Sequence, residues 1–207
     1  MKESDLAEDT SSIHGRQRLI DAALALAARN GKALLSLGIR ELAREAELNH
    51  NTFYRHFSSL DELAQAAAEQ VASQIMTKMK DIRLQASTRA DATEGATAFY
   101  LDFVQANTGL IVVGLRELHS LESPMRGVLQ AMLSSIARES SKQVRLLGVV
   151  ADDAESTLFA CTLSISYYMF YRALDVIEDP AKRPLVHQEI VQFIRTQFVG
   201  RKIFKSN

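Results

Sequence analysis

Residues 38–63 read GIRELAREAELNHNTFYRHFSSLDEL, and this stretch decides the fold. Leu42, Ala43 and Ala46 put small apolar groups on one face of a short helix. Phe53 and Phe57 stand four apart, so they share the inward face of a second short helix. Between the two lies a tight polar turn, where Leu48 is placed to fill the angle. Cap chemistry marks the boundaries. Gly38 is an acceptable N-cap, and Glu41 three residues on is spaced to reach back as in a capping box. The amide oxygen of Asn49 suits an orphan N–H at the start of the second helix. Ser59-Leu60-Asp61-Glu62 repeats the capping-box spacing and opens a third helix. Short helix, turn, short helix and capped continuation make a helix-turn-helix, a device that presents one helix to the DNA major groove.

The outward face carries the chemistry that this device needs. His50, Asn51 and Thr52 fall in the first turn of the second helix, the part that meets base edges. Asn51 and Arg55 are one turn apart, as are Thr52 and His56. Asparagine pairs bidentately with adenine and arginine with guanine. Tyr54 and His56 are placed as phosphate contacts, which set register without reading sequence. The backbone N–H groups of Ser59 to Asp61 are a further phosphate site, aided by the helix dipole. The alternative is a helical hairpin whose polar face is merely solvated.

These residues resemble the TetR family of bacterial transcriptional repressors. The match covers roughly Arg16 to Leu63, in pieces with compatible spacing. They are Arg-Leu-Ile-Asp-Ala-Ala-Leu-Ala-Leu over 18–26, Asn30-Gly31, Ile39-Arg40-Glu41-Leu42-Ala43, Thr52-Phe53-Tyr54-Arg55-His56-Phe57 and Asp61-Glu62-Leu63. The resemblance implies an all-α protein with an N-terminal three-helix DNA-binding domain and a C-terminal helical bundle for ligand binding and dimerisation. It implies a dimeric regulator on a near-palindromic double-stranded operator, answering to a small effector. The implied DNA-binding residues are Arg16, Arg40, Asn49, His50, Asn51, Thr52, Tyr54, Arg55 and His56. Two positions depart from the family pattern. Gly38 stands where Ser or Thr often touches phosphate, and Leu60 where Lys often precedes Asp-Glu-Leu. Both shift the weight of DNA contact onto Arg16, Arg40, Tyr54 and His56.

Bulk composition bounds this reading without deciding it. The chain has 207 residues, Lys+Arg 24 against Asp+Glu 25, a net charge of −1 and 47% hydrophobic residues. That suffices for a small head and a larger body with its own core. The near-neutral total hides an uneven distribution. Arg16, Arg18, Arg29, Lys32, Arg40, Arg44 and Arg55 outnumber Asp21, Glu41, Glu45 and Glu47 in the head, while Glu3, Asp5, Glu8 and Asp9 lie ahead of it. A local patch is what steers DNA over a screening length of about 8 Å. The expected organisation is a disordered tail over 1–12, a head over 13–58 and a body over 59–207. The polar, acidic N-terminus is not a signal peptide, and no stretch is long and apolar enough to span a membrane, so a cytoplasmic location is expected. A lone cysteine, Cys161, excludes an internal disulfide framework and reads as a buried thiol.

Beyond the head, helix follows helix. Apolar spacing predicts helices over about 15–29, 60–85, 96–105, 107–118, 124–148, 152–177 and 184–198, with a polar connection over 86–95. Ser123-Pro124 reads as N-cap and N1, and Asp152 with Glu155 as another start. The helix ending near Ile177 is apolar on nearly every side, and the last carries a stripe. By the family resemblance these two form a homodimer interface, with Phe170, Leu174, Val186, Ile190, Phe193 and Ile194 as its candidates; ordinary core packing is the alternative. The middle of the body is rich in Met, Phe and Tyr. Phe99, Phe103, Leu110, Val113, Met125, Leu129, Met132, Leu133, Tyr167, Tyr168 and Tyr171 are candidates to line an apolar pocket, with Arg116 and His119 as polar anchors. The head and the Arg116-Glu117 pair following an apolar helix also look similar to the FabR/DesT-like repressors that respond to fatty acyl-CoA. A long-chain acyl-CoA effector is the corresponding expectation.

Enzyme chemistry finds little support. There is no Gly-x-Ser-x-Gly elbow and no phosphate-binding glycine loop, and the five histidines lack metal-ligand spacing. No cofactor and no metal are expected. The competing class is a helical structural adaptor, which accounts for the bundle but not for the capped head with its polar outward face.

Overall fold

Side-chain caps and apolar spacing set several of the helix boundaries in the computed structural model. It describes residues 3–146 and 154–204, with backbone alone for 3–13 and 199–204. Nine α-helices and no strand occur among the described residues. They are α1 (Glu3–Asn30), α2 (Ile39–Glu45), α3 (His50–His56), α4 (Leu60–Gln85), α5 (Arg89–Ala106), α6 (Thr108–His119), α7 (Met125–Leu146), α8 (Glu155–Glu178) and α9 (Arg183–Phe204). Short 3-10 turns at Leu34–Ser36 and Pro180–Lys182 precede α2 and α9.

Several boundaries differ from the sequence expectation. α1 starts at Glu3 rather than near Gly15, so the backbone of the expected disordered tail is helical from that point. The polar connection expected over 86–95 is mostly helix. Thr88 caps α5 by accepting the Asp91 N–H at 3.1 Å, which starts the helix earlier than its apolar residues suggest. α7 is seen from Met125 to Leu146, and Ser123 Oγ accepts the Met125 N–H. Gly148 and Asp152, the expected end of α7 and start of α8, lie outside the described residues. α4 keeps its expected span.

The chain divides into two compact units. The first holds residues up to Gln70 together with Gly109–Leu129, and so passes the boundary expected at residue 58. Its core is Leu19, Ile20, Leu26, Leu42, Phe53, Phe57 and Leu63, each at most 1% exposed. Burying seven such side chains stabilises the head by about 1.5–3 kcal/mol apiece before entropy is counted. α6 belongs to this unit from Gly109 onward and sits on the end of α1. A Cβ at Gly109 would lie 2.0 Å from the Ala28 carbonyl oxygen, so only glycine permits this approach. At the other end of α6, Arg116 donates to the Gly31 carbonyl at 3.0 Å. Arg116 also pairs with Glu117 at 2.9 Å, and Ser123 Oγ donates to Glu117 at 2.7 Å.

The second unit holds Val71–Thr108 and Gln130 onward. α5, α8 and α9 pack together there around Leu101, Val104, Leu158, Val176 and Ile190. The buried hydroxyls of Tyr100, Ser141 and Thr162 are hydrogen-bonded internally, as a low-dielectric interior demands. The Tyr100 hydroxyl donates to the Met169 carbonyl at 2.9 Å, and burial pushes its pKa well above the ordinary phenol value. Thr162 Oγ1 donates to the Ala137 carbonyl at 2.8 Å and lies 2.7 Å from Ser141 Oγ. Arg83 bonds to Gln143, and burial lowers its pKa against the opposing pull of Glu139. α9 is tied to α5 by Arg183 with Asp102 and by Arg195 with Glu94, and to α8 by Arg172 with Glu189.

Candidate nucleic-acid interface

The recognition helix α3 is seven residues long and anchored from beneath. Phe53 and Phe57 stand with ring centroids 5.9 Å apart and are essentially inaccessible. Tyr54 meets Phe53 edge-on at 5.3 Å and 87°, yet is 62% exposed. An exposed tyrosine that is held in orientation by a buried neighbour has lost little entropy to later binding. His50, Asn51 and Arg55 are also exposed, and Thr52 is half-buried. Among the expected DNA contacts, this surface brings together His50, Asn51, Tyr54 and Arg55.

The rest of the expected set plays mixed roles. Asn49 is the N-cap, and its side chain accepts the Asn51 N–H at 3.0 Å. Arg40 is exposed on the first turn of α2, with no ion pair among the described residues. Arg16 lies with its guanidinium carbon 5.0 Å from the Phe57 ring centroid, a cation–π contact that leaves its charge outward. His56 is half-buried against α1, and burial, with the Arg55 and Arg16 charges, holds its imidazole below the ordinary 6.5. It is therefore neutral at neutral pH in the free protein.

Charge pairing inside the head explains how the surface stays basic. Arg29 grips Glu45 with two bonds of 2.9 and 2.8 Å, which holds the Glu45 carboxyl below its usual range. Arg18 pairs with Glu47 at 2.9 Å, and Asn30 donates to Glu41 at 3.4 Å. Glu41 thus turns to α1 instead of closing a capping box on Gly38, whose N-cap position shows no side-chain bond. Glu45 of α2 and Glu47 in the turn after it are paired with arginines of α1, leaving Arg40 and Arg55 unopposed by direct pairs among the described residues. At α4, Ser59 Oγ accepts the Glu62 N–H at 3.2 Å, while the Glu62 carboxylate takes the Ser58 N–H and hydroxyl at 2.7 Å. The return half of this capping box falls on Ser58, one residue earlier than the spacing predicts. These bonds hold the Glu62 carboxyl below its usual range and put an anion beside the expected phosphate site at 59–61.

Sequence reasoning missed how the turn is built. The Leu48 N–H bonds to the Ala43 carbonyl at 2.8 Å and the Glu47 N–H to the Arg44 carbonyl at 3.0 Å. This is a Schellman close to α2, and Glu47 takes its left-handed position with φ 52°. Glycine is the usual signal for such a close, and it is absent here.

Residues 19–67 match the sequence model of the tetR family of bacterial regulatory proteins. An uncharacterized HTH-type transcriptional regulator of Haemophilus influenzae is 28% identical over 124 residues, 60% of this chain. That alignment spans only 57% of the relative's length. Among solved structures, a TetR-family regulator from Syntrophomonas wolfei has a TM-score of 0.68 at 16% identity, covering 89% of this chain and 95% of its own. Thermus thermophilus FadR, a TetR-family repressor in complex with lauroyl-CoA, has a TM-score of 0.62 at 18% identity, covering 89% and 94%. RolR in complex with resorcinol has a TM-score of 0.58 at 17% identity, covering 91% and 93%. The chain shares the all-α fold of these solved structures. Over residues 19–67 the chain is similar to the tetR family of bacterial regulatory proteins.

The residues expected in a ligand pocket do not gather in one unit. Leu110, Val113, Arg116, His119, Met125 and Leu129 belong to the first, and Phe99, Phe103, Met132, Leu133, Tyr167, Tyr168 and Tyr171 to the second. Val113, Met125, Leu129 and Leu133 are buried, while Tyr167 and Tyr171 are 37% and 60% exposed and turn outward. Arg116 and His119 are exposed, and Arg116 is engaged by Gly31 and Glu117 instead of anchoring a cavity. A groove of about 440 Å³ lined by Ala98, Arg183, Pro184, Leu185, His187 and Gln188 contains none of them. The expected dimer residues also divide. Val186 and Ile190 are fully buried and Phe170 is 7% exposed, so they are core of this chain with no surface to offer. Leu174, Phe193 and Ile194 are half-buried, and Phe193 stacks on Tyr168 at 4.1 Å. A periodic stripe looks the same in sequence whether the chain or a partner covers it. No group of metal-ligating side chains occurs among the described residues, and no single described helix is long and apolar enough to cross a membrane.

Proposed function

We propose that the chain binds double-stranded operator DNA as a homodimer, one head per half-site of a near-palindrome, and acts in the cytoplasm as a repressor released or strengthened by an apolar effector. The observation that carries this is the outward face of α3, where Asn51, Tyr54 and Arg55 stand exposed over a Phe53–Phe57 anchor. Asn51 and Arg55 supply bidentate groups for base edges, Tyr54 a phosphate contact, and Arg40 and Arg16 further charge. A single head of this size reads few base pairs, so affinity and specificity call for two. The dimer is assigned to the outward side of α8 and α9, through Tyr167, Tyr171 and Leu174 with Phe193 and Ile194.

The proposed effector is a long-chain acyl-CoA. The Met- and Phe-rich body supports an apolar ligand, and FadR with lauroyl-CoA shares the fold. An effector changes DNA affinity only by binding the two conformations unequally. α4, whose residues belong to both units, is the proposed conduit. Coupling of about 1–3 kcal/mol corresponds to a roughly 5–150-fold change in operator affinity. The test is operator binding titrated with acyl-CoAs of graded length beside small phenols and unrelated apolar compounds. A graded response to chain length supports the acyl reading; a flat response to every acyl-CoA overturns it.

A further inference from the structure

The interior of α1 contains a glycine that helix propensity disfavours. Gly15 is buried and far from either end of the Glu3–Asn30 helix. Glycine there is destabilising relative to alanine. The space an alanine methyl would fill is already taken. A Cβ at Gly15 would lie 2.6 Å from His56 Nε2, 3.3 Å from Cε1 and 3.5 Å from Cδ2. The imidazole therefore lies with its Nε2 edge against the backbone of α1, and Nδ1 is farther away than these three atoms. The next residue of α1 repeats the theme, since the Arg16 guanidinium rides over Phe57 at 5.0 Å. Two consecutive residues of α1 thus hold two consecutive residues at the end of the recognition helix.

We propose that Gly15 is the positioning residue for His56: its missing side chain seats the imidazole against α1 so that the ring presents one fixed nitrogen, Nδ1, to a DNA phosphate. This rests on the reading of α3 as the DNA-contacting helix. A histidine at a helix end has several rotamers, and a contact from an unfixed ring loses affinity to ordering. Packing against the Gly15 backbone removes that freedom before DNA arrives. Burial, Arg55 and Arg16 all favour the neutral ring, so a single N–H is available to donate. Gly15 touches no DNA in this scheme and acts only through His56.

A double-mutant cycle with an NMR readout tests it. Gly15→Ala should weaken binding to cognate and random duplexes alike, by about fivefold, the worth of one hydrogen bond to phosphate. In a His56→Ala background the added methyl has room. Gly15→Ala should then leave DNA affinity unchanged and raise the unfolding midpoint, as alanine in a helix interior does. In the single variant the displaced His56 ring should titrate nearer its ordinary value when followed by NMR without DNA. Equal affinity losses in both backgrounds, or an unmoved His56 titration, would overturn the proposal. A wild-type protein with no DNA affinity would remove the phosphate role. The His56 titration then judges the seating by itself, so failure of that reading is distinguishable from failure of the packing.

Discussion

Glu47 shows how one residue can be misplaced by its own backbone and still be tolerated. Its left-handed φ of 52° costs an ordinary L-residue about 1–2 kcal/mol, against which glycine pays only unfolded-state entropy. Its pair with Arg18 offsets little, because the two side chains are 86% and 45% exposed. Glu47→Gly should therefore stabilise the head by about 1 kcal/mol in urea unfolding; an unchanged or lower midpoint would show that the turn needs the carboxylate. On the outward face, Asn51→Ala should cost about 1–3 kcal/mol on a cognate site and little on random DNA. Tyr54→Ala should weaken both, as anisotropy titrations would reveal. His56 adds a pH signature. Its folded value lies below 6.5, so the unfolded chain binds more protons between the two values. Its contribution to stability is present above 6.5 and is lost as the pH falls through the folded value. His56→Gln should flatten that loss in unfolding experiments run between about pH 7 and 5. Much at this scale was legible in sequence. Asn49, Phe53 and Phe57 announce themselves through contacts within one turn. Glu47 did not, because its signal is a missing glycine, and the seat of His56 on Gly15 joins residues that only the fold brings together.

Helices were legible as elements, and their partners were not. The span of α4 follows from its apolar spacing and its Ser59–Glu62 cap, and α5 reads short because Arg89 to Gly95 carry no large apolar side chain. α6 reads as part of the body, with Arg116 a ligand anchor. In the structure it sits at the C-terminal end of α1, through Gly109 against Ala28 and Arg116 against Gly31 just beyond the helix. Nothing within a few residues of Arg116 marks a backbone carbonyl far away in sequence as its acceptor. The Gly109 contact is to backbone, which cannot swing aside as a side chain can. Gly109→Ala should destabilise by about 1–3 kcal/mol, the range for overpacking. Gly127→Ala, with nothing within 4 Å of its added methyl, is the matched control and should be neutral or slightly stabilising. Equal effects of the two in thermal unfolding would show that α6 is not seated on α1 in this way.

At the scale of the whole molecule, the all-α architecture followed from periodicity, while the covering of each apolar stripe did not. Val186 and Ile190 turned out to be internal, and Tyr167 and Tyr171, read as pocket, are the exposed ones. Tyr171→Glu should therefore break the proposed dimer, since an unpaired charge buried in an interface costs several kcal/mol. Val186→Glu should instead unfold the second unit, and sedimentation with circular dichroism separates the two outcomes. The proposed function requires that α3 meet DNA. The most direct measurement is the affinity of the wild type and Tyr54→Ala for duplex DNA across a series of salt concentrations. Log affinity should fall linearly with log salt, by about 0.9 for each phosphate contacted, and Tyr54→Ala should lower affinity on cognate and random duplexes alike. Binding that is absent or indifferent to salt, or an affinity unmoved by Tyr54→Ala, would contradict the proposed function.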